Sequence, residues 1–234
     1  MIRLFMDGSF KKGEGLALSA PQSHYLTHVM RLTEGDDLIC FNGKQGDWIS
    51  SLQRQKKEWF LIPQKQTIPQ QARPKCILCL SLIKREPLAY ALQKATELGV
   101  SEIRLIQAER SNNERVNMER LKAIVIEACE QCERNDVPEI YFPEPLNKVL
   151  TELSGKAQLI WLSERGKTSG KMEKLSPAFF IGPEGGWSDR EQMLFQKSKV
   201  FSWHLGNTIL RTETATITSL SLWQYQNEIK KLAI

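Results

Sequence analysis

Over residues 1–62, hydrophobic and polar residues alternate in short runs separated by Gly, Asp and Asn turns. Such alternation predicts β-strands, because every second side chain of a strand faces the same side of its sheet. The four predicted strands are IRLF, DLICF, WISSLQ and EWFLI. Residues 21–31 differ, since Tyr25, Leu26, Val29 and Met30 recur at helical spacing. The pattern therefore predicts a small β-barrel joined by one short helix.

A polar stretch follows, and after it the rhythm of the chain changes. Residues 63–75 hold three prolines and four glutamines, which predicts a linker. Beyond it, apolar strand runs alternate with amphipathic helical runs, as in an α/β domain with a mostly parallel sheet. The predicted strands are 76–83, 103–107, 158–163, 178–182 and 201–205, and the predicted helices are 86–99, 117–132, 189–198 and 212–232. We expect a barrel domain at residues 1–70 and an α/β domain at 71–234.

The composition fits a folded protein of one or two domains. The chain has 234 residues, of which 41% are hydrophobic and 25% are charged. The first residues, MIRLFMDGSF, lack the order of a signal peptide, and no apolar run of about 18 residues occurs, so we expect a cytoplasmic location. Five cysteines, an odd number, fit reduced thiols in a core better than a disulfide framework.

The formal net charge of +5 is unevenly distributed. Up to Lys75 the chain carries 11 basic and 7 acidic residues, a net of +4, which leaves 21 basic and 20 acidic residues beyond it. The N-terminal third is therefore the expected footprint for a polyanion. A solvated basic surface without a partner remains the alternative.

Two Cys-x-x-Cys pairs, Cys76 with Cys79 and Cys129 with Cys132, raise the alternative of a four-cysteine zinc site. Side chains alternate faces along a strand, so Cys76 and Cys79 are expected on opposite sides and cannot close on one ion. Burial in a core is the favoured interpretation of these cysteines.

Other common signatures are also incomplete. His24 and His28 stand four apart, as in metal-binding pairs, but no acidic residue lies between them. Gly13 and Gly15 fit the first two glycines of a Gly-x-Gly-x-x-Gly motif, but Leu18 stands at the position of the third. The chain also has no Gly-Lys-Ser/Thr. We therefore predict no metal site, no Rossmann dinucleotide site and no P-loop.

The run FIGPEGGWS, residues 180–188, follows an apolar strand and precedes a helix. Its glycines permit backbone angles closed to other residues and let a ligand approach the main chain, while its proline stiffens the turn. These residues are Gly182, Pro183, Gly185 and Gly186. Ser188 and Glu191 predict a capping box that starts the next helix. A structural turn needs fewer such constraints, so ligand contact is favoured.

A second run, LGNTILRTETA, occupies residues 205–215. Gly206 ends a strand, and the apolar Ile209 and Leu210 stand in a loop where they need protein or ligand to cover them. The helix that starts at Thr212 offers unpaired N–H groups, which suit an electron-rich ligand group.

GPEGG followed by LGxxILRTETA resembles the two cofactor loops of the RsmE family of ribosomal RNA methyltransferases, in the SPOUT superfamily of α/β-knotted enzymes. The segments HYLTHVMRLTEGDDL, KREPLAYALQKATELGV and EACEQCERNDVP resemble further blocks of that family, so nearly the whole chain is covered. Two departures are mild. Cys132 stands where a small polar residue is expected, and Trp187 where another aromatic is common.

The resemblance implies a fold and an activity. The fold is a C-terminal SPOUT α/β domain with a deep trefoil knot, preceded by an N-terminal PUA-like or OB-like β-barrel, in a homodimer. Knots are too rare for sequence patterns to predict them. The implied cofactor is S-adenosylmethionine, and the implied reaction is methylation of N3 of one uridine in the 16S rRNA of the small ribosomal subunit.

The same resemblance implies a site built by three loops. The residues expected to bind the cofactor are Leu162, Ser163, Ile181, Gly182, Pro183, Gly185, Gly186, Leu205, Gly206, Ile209, Leu210, Arg211, Thr214 and Ala215. Arg211 is expected to stabilise negative charge on the uracil, with Glu184 and Glu213 as bases or orienting groups. A helix-cap salt bridge for Glu213 and a loop hydrogen bond for Glu184 are the structural alternatives.

Several cations are expected to contact rRNA. They are Arg3 and Arg31 in the barrel, and Lys84, Arg85, Lys94, Arg110 and Arg134 near the active face. Two other functions stay open at this point. The chain could be a non-enzymatic RNA-binding assembly factor, which would need no ligand-shaped turns, or a knotted enzyme that methylates the ribose 2′-OH.

Overall fold

The computed structural model describes residues 1–71, 73–112, 115–164, 168–169 and 176–229. The chain divides into two compact units, one of residues 1–72 with 129–137 and one of residues 73–128 with 138–234. The segment 129–137, which the sequence assigned to the second domain, thus belongs to the N-terminal unit. There the backbone N–H of Phe5 donates to a carboxylate oxygen of Glu130 at 2.8 Å.

The N-terminal unit is built on a half-barrel sheet of five strands in the order β1-β3-β4-β5-β2. The strands are β1 (Arg3–Phe5), β2 (Leu16–Ala17), β3 (Asp37–Phe41), β4 (Asp47–Gln55) and β5 (Glu58–Ile68). Strands β1 and β3 pair in parallel and the other pairs are antiparallel. The core of this sheet contains Leu4, Leu26, Leu38, Leu52 and Leu61.

A short helix packs on this core at the predicted place. Helix α1 (Ala20–His24) begins with a capping box formed by Ser19 and Gln22, and a π-helical turn (Tyr25–Val29) continues it. Leu26, in that turn, is fully buried. The predicted helix at 21–31 is therefore confirmed, with a wider turn in its second half.

The predicted linker at 63–75 is partly wrong. Its first half is the end of β5, which pairs with β4 as far as Ile68 opposite Asp47. Residues 64–68 are exposed, so hydrogen bonds to a neighbouring strand hold them in place and burial does not. A composition with almost no apolar residue excluded a core, but it did not exclude strand pairing.

The C-terminal unit is built on a six-stranded parallel sheet in the order β11-β9-β10-β6-β7-β8. The strands are β6 (Ile77–Ser81), β7 (Glu102–Gln107), β8 (Glu139–Pro145), β9 (Gln158–Leu162), β10 (Pro177–Ile181) and β11 (Phe201–Trp203). The helices are α2 (Arg85–Glu97), α3 (Met118–Gln131), α4 (Leu146–Leu153), α5 (Asp189–Lys197) and α6 (Thr212–Gln224), and a π-helical turn (Tyr225–Ile229) follows α6. The last part of the predicted final helix, residues 230–232, lies outside the described residues.

The central strands show why this sheet forms. Every residue of β6 and of β10 is buried, as expected for strands covered on both faces. Helices α2 and α6 pack against each other, and α6 also contacts β10. On α2 the buried residues recur at helical spacing, at Leu88, Leu92 and Ala95.

Two elements of this unit were not predicted, namely β8 and α4. Strand β8 is an edge strand that contains two prolines, and none of its residues is buried. Helix α4 has only eight residues, although its apolar side chains are buried.

Of the helices in the described part of the chain, none is both long and apolar enough to cross a bilayer.

Candidate active site

Three neighbouring strands, β11, β9 and β10, end at the same edge of the parallel sheet. Trp203 is in register with Leu162, and Phe180 is in register with Trp161. The loops that follow these strands therefore lie side by side. In open α/β sheets, ligands bind at the carboxyl ends of the strands. The two glycine-containing runs and the end of β9 meet at this edge.

The loop after β10 is closed by a tight turn in which the N–H of Gly186 donates to the carbonyl of Pro183 at 2.8 Å. Gly186 has φ +67°, a left-handed conformation that favours glycine. A Cβ at Gly182 would lie only 3.0 Å from the indole nitrogen of Trp187. This loop thus needs glycine at 186 for its backbone conformation and at 182 for space.

Arg110 braces the same loop. Its guanidinium donates to the carbonyl of Gly185 at 3.0 Å, and a Cβ at Gly185 would lie 3.3 Å from the Cβ of Arg110. Arg110, expected to bind RNA, is therefore also a structural partner of the loop.

The capping box at the start of α5 is confirmed. The N–H of Glu191 donates to the hydroxyl of Ser188, and the N–H of Ser188 donates to the Glu191 carboxylate at 2.8 Å. The other oxygen of this buried carboxylate accepts the N–H of Glu109 at 2.9 Å. Glu191 thus ties the loop after β7 to the loop after β10.

The start of α6 is tied to the β10 loop as well. The Thr212 hydroxyl donates to the carbonyl of Gly182 at 2.9 Å, and the Thr212 side chain is buried. Arg211 is the N-cap residue of α6, and its carbonyl accepts the N–H of Ala215 at 2.8 Å. The two loops that the sequence singled out are therefore joined by a direct hydrogen bond.

Three adjoining cavities open between these loops, with volumes of about 170, 280 and 40 Å³. All three are bordered by Leu162 and Glu164, so they form one branched space at the end of β9. We call this space the β9 cavity. Its largest branch reaches Arg110 and Gln192, and its smallest reaches His204.

Most of the predicted cofactor residues line the β9 cavity. They are Leu162, Ser163, Ile181, Gly182, Pro183, Gly185, Gly186, Leu205, Gly206, Ile209, Leu210, Arg211 and Ala215. Thr214 lines none of the three branches. It is exposed on α6, one residue before Ala215.

The three predicted catalytic residues are placed differently. Arg211 and Glu184 line the β9 cavity, whereas Glu213 does not. Within the described part of the chain, neither the Arg211 guanidinium nor the carboxylates of Glu184 and Glu213 make a hydrogen bond or an ion pair. Neither the helix-cap salt bridge nor the loop hydrogen bond considered above is formed there.

Sequence reasoning missed several residues of this site, among them Trp161, Gln192 and Thr208. Glu164 borders all three branches, Trp187 borders two, and Thr212 and His204 border one each. Trp187 and Thr212 stand inside the two runs already singled out, and Glu164 is a charged residue just after an apolar strand. His204 Nδ1 lies 3.1 Å from the Ser163 carbonyl, so this nitrogen carries the proton of that bond.

Two of the predicted RNA-binding arginines are held in the interior of the N-terminal unit. Arg3 makes a bidentate pair with Asp47 at 2.8 and 2.9 Å, and its side chain is 7% exposed. Arg134 is 2% exposed and pairs with Asp136, with Nε to Oδ1 at 3.2 Å. Both cations neutralise a neighbouring acid, so we do not include them in an RNA surface.

The other predicted RNA-binding cations are more accessible. Arg31, Lys84 and Arg85 are exposed, and Arg31 has φ +57°. Lys94 is half-buried, with its ammonium 2.7 Å from the Glu97 carboxylate. Because of that ion pair, Lys94 is a weaker candidate for RNA binding than the three exposed cations.

The cysteines lie mainly in the interior. Cys40, Cys76, Cys79 and Cys129 are buried free thiols, and Cys132 is half-buried. Burial raises the pKa of Cys40 and of Cys129 to about 12, which keeps them protonated at neutral pH. Among the described residues, no cluster of three His, Cys, Asp or Glu side chains could hold a metal ion.

Comparison with protein families places both units. Residues 70–224 match an RNA methyltransferase domain, and residues 18–62 match an RNA methyltransferase PUA domain. The expected fold class, a PUA-like unit followed by a methyltransferase unit with a parallel sheet, is thereby confirmed. The threading of the trefoil knot stays a prediction.

Individual relatives agree with these matches. Ribosomal RNA small subunit methyltransferase E of Rickettsia conorii is 27% identical, over 94% of this chain and 93% of its own. A methyltransferase from Legionella pneumophila, solved with bound SAM, is 32% identical with a TM-score of 0.84, over 96% of this chain and 97% of its own. Ribosomal RNA small subunit methyltransferase E of Neisseria gonorrhoeae, solved with S-adenosyl methionine, is 25% identical with a TM-score of 0.83, over 97% and 98%. The chain therefore belongs to the RsmE family of RNA methyltransferases.

Proposed function

We propose that this protein is an S-adenosylmethionine-dependent methyltransferase that methylates N3 of one uridine in the 16S rRNA of the small ribosomal subunit. The observation that carries the proposal is the β9 cavity, which is lined by glycine loops and has on its wall Arg211, a cation without an acidic partner in the described part of the chain. Relatives that share most of this chain's length are rRNA methyltransferases, and two similar structures contain the cofactor.

The walls of the β9 cavity fit this cofactor. Leu162, Ile181 and Leu210 offer apolar surface for an adenine ring, and main chain accessible at the glycines offers hydrogen-bonding groups to its edge. The indole N–H of Trp187 is buried at the wall and has no hydrogen-bond partner within the described residues. A ligand acceptor would satisfy that donor.

When bound, the cofactor supplies a methyl group on a sulfonium sulfur. The protein must then align uracil N3 with that methyl group and manage the N3 proton, which is present at neutral pH. Negative charge spreads over the uracil as this proton leaves. A guanidinium at Arg211 stabilises that charge more in the transition state than in the ground state.

Glu184 is our candidate for accepting the N3 proton, because it shares a wall of the β9 cavity with Arg211. A carboxylate there has no competing partner among the described residues. Glu213 lines no branch of the cavity, so we assign it an orienting role at the start of α6.

The proposal extends to the partners of the enzyme. Arg31 in the N-terminal unit, together with Lys84 and Arg85, would contact rRNA phosphates.

We further propose a homodimer that acts in the cytoplasm. Light scattering during size-exclusion chromatography measures the oligomeric state directly.

Mass spectrometry of the nucleosides in 16S rRNA tests the proposed reaction. Cells that lack this chain should lose 3-methyluridine, and the wild-type gene should restore it while Arg211→Ala should not. A ribose-methylated uridine in its place would transfer the assignment to the 2′-OH reaction. If no nucleoside changes and calorimetry detects no cofactor binding, the protein is a non-enzymatic assembly factor.

A further inference from the structure

A second cavity, of about 250 Å³, opens at the same edge of the parallel sheet as the β9 cavity. Leu82 and Ile83, just after β6, and Asn112, beyond the end of β7, border it. We call it the β6 cavity. Strand β6 is the immediate neighbour of β10, so the two cavities follow adjacent strands.

One loop serves both cavities. Arg110, after β7, donates to the carbonyl of Gly185 in the β10 loop at 3.0 Å. Two residues later, the N–H of Asn112 donates to the carbonyl of Leu82 at 3.0 Å. One side-chain and one backbone hydrogen bond therefore tie the wall of the β6 cavity to the loop that borders the proposed methyl-transfer site.

The floor of the β6 cavity is apolar and its rim is basic. Leu82, Ile83, Leu88 and Leu121 on the floor are all buried. The remaining lining residues include Arg85, Arg115, Arg120 and Asn117, and none of the described residues that border the cavity is acidic. In the described part of the chain, none of the three guanidinium groups makes a hydrogen bond or an ion pair.

Two helices also begin at the rim. Arg85 is the first residue of α2, and Asn117 precedes α3, where its side-chain oxygen accepts the N–H of Arg120 at 3.0 Å. Helix N-termini carry partial positive charge, which adds to that of the three arginines. The rim therefore attracts anions, while the floor suits a flat apolar group.

We propose that the β6 cavity binds one nucleotide of single-stranded rRNA next to the target uridine, with its phosphate at Arg115 and Arg120. This inference rests on the proposed function, since that function supplies RNA as the substrate. An unstacked base can lie on the apolar floor, and arginine planes and Asn117 can contact its face and edge. Paired RNA would keep its bases stacked away from such a floor.

The properties of the cavity argue against other small ligands. A cationic sulfonium cofactor is repelled by the three arginines, which have no acidic partner among the described residues. The volume of about 250 Å³ is below the usual range for a whole cofactor and suits a single base with part of its backbone.

The first test measures binding of a single-stranded oligoribonucleotide that contains the target sequence, by fluorescence anisotropy at several salt concentrations. Arg115→Gln and Arg120→Gln should each weaken binding about tenfold and lower the slope of log K against log salt by about 0.7. Arg190→Gln is the matched control, because Arg190 is exposed on α5 and lines neither cavity. If all three variants lose the same affinity, the β6 cavity is not an RNA site.

A second test asks where the RNA lies and which ligand the cavity prefers. 4-Thiouridine placed beside the target uridine should cross-link, after irradiation, to peptides covering residues 82–88 or 115–121. Exclusive cross-links to other peptides would overturn the inference. The same holds if inorganic phosphate or uridine monophosphate competes as well as the oligoribonucleotide, which would indicate a site for free nucleotides.

Calorimetric titration with S-adenosylmethionine separates this inference from the proposed function. The Arg115 and Arg120 variants should bind the cofactor as the wild type does. A wild type that binds no cofactor and methylates no RNA defeats the proposed function. A wild type that methylates RNA, with both variants binding RNA normally, defeats only the assignment of the β6 cavity.

Discussion

Arginines of the two units show how surroundings decide what a cation does. In the N-terminal unit, Arg134 is buried beside Asp136, and Arg3 makes a bidentate pair with Asp47. In the C-terminal unit, Arg211 stands on the wall of the β9 cavity without an acidic partner in the described residues. All three are arginines of strands or of loops next to helices. Their sequence context does not separate them, whereas the neighbouring carboxylates do.

The difference has an energetic basis. A buried arginine that neutralises a carboxylate is needed for the fold, because removing it leaves an uncompensated buried charge. Arg211 is exposed at the mouth of the β9 cavity and has no acidic partner among the described residues, so its charge is available to an anionic ligand. We therefore propose that Arg3 and Arg134 stabilise the fold and that Arg211 takes part in the reaction.

Replacing Arg211 tests this assignment with the largest expected effect. Arg211→Ala should lower the single-turnover methylation rate about 10²- to 10³-fold, the scale for losing one stabilising donor, and change cofactor affinity far less. Arg211→Lys should rescue the rate only in part, since a point charge replaces a planar fork. Rates at saturating cofactor and RNA, measured beside calorimetry, check both statements. A parallel fall of rate and cofactor affinity would make Arg211 a loop anchor.

Replacing Arg134 tests whether a buried, ion-paired arginine stabilises the fold. Arg134→Ala should lower the free energy of unfolding by about 3 kcal/mol, because Asp136 keeps its charge in a poorly hydrated place. The double variant Arg134→Met with Asp136→Leu should regain much of that loss. Urea unfolding measures both. If Arg134→Ala leaves stability unchanged and weakens RNA binding, Arg134 belongs to the RNA surface after all.

Gly186 tests whether the backbone of the β10 loop serves the ligand. Gly186→Val forces a β-branched residue to φ +67° and brings a Cβ to 3.3 Å from the Glu164 carboxylate, so cofactor affinity should fall by about 1–3 kcal/mol. Gly155→Val is a matched control, since Gly155 has φ +72° with nothing within 4 Å of its added Cβ. Both variants should lose similar stability. Equal cofactor affinity for the two would remove Gly186 from the site.

The sequence predicted those elements whose signals are local. Strands such as β6 and β10 are continuous apolar runs, and the capping box of Ser188 and Glu191 predicts the start of helix α5. Strand β8 was missed because its pairing comes from a distant neighbour and not from burial. The second half of β5 was missed for the same reason, since pairing with β4 alone keeps it extended.

Sequence patterns predicted the parts of the candidate site that lie within the runs 180–188 and 205–215. The glycine positions and the start of α6 come directly from the sequence, and the family resemblance added the loop at Leu162 and Ser163, so most lining residues of the β9 cavity were predicted. The tie between Thr212 and Gly182 joins residues 30 positions apart, and local patterns do not report such contacts. Neither do they report that Arg3 meets Asp47, 44 positions away, which is why Arg3 was expected to bind RNA.

The smallest effect is expected from replacing Arg31, which can be compared with Arg3 and Arg134 of the same unit. Unlike Arg3 and Arg134 it is exposed, so it can reach a phosphate without breaking an internal ion pair. Arg31→Glu should weaken RNA binding by about 1 kcal/mol or less and reduce the slope of log K against log salt by about 0.7, since one fewer phosphate is neutralised. Cofactor affinity and the free energy of unfolding should stay unchanged.

The control for Arg31→Glu is Lys12→Glu, which changes the net charge of the same unit equally at another exposed position. A general electrostatic attraction would make the two variants lose affinity and salt slope alike, because both substitutions change the charge of the same unit by the same amount. A specific phosphate contact would make the slope fall for Arg31→Glu alone. Anisotropy titrations of both variants across a range of salt concentrations distinguish these outcomes, and equal slopes would remove Arg31 from the interface.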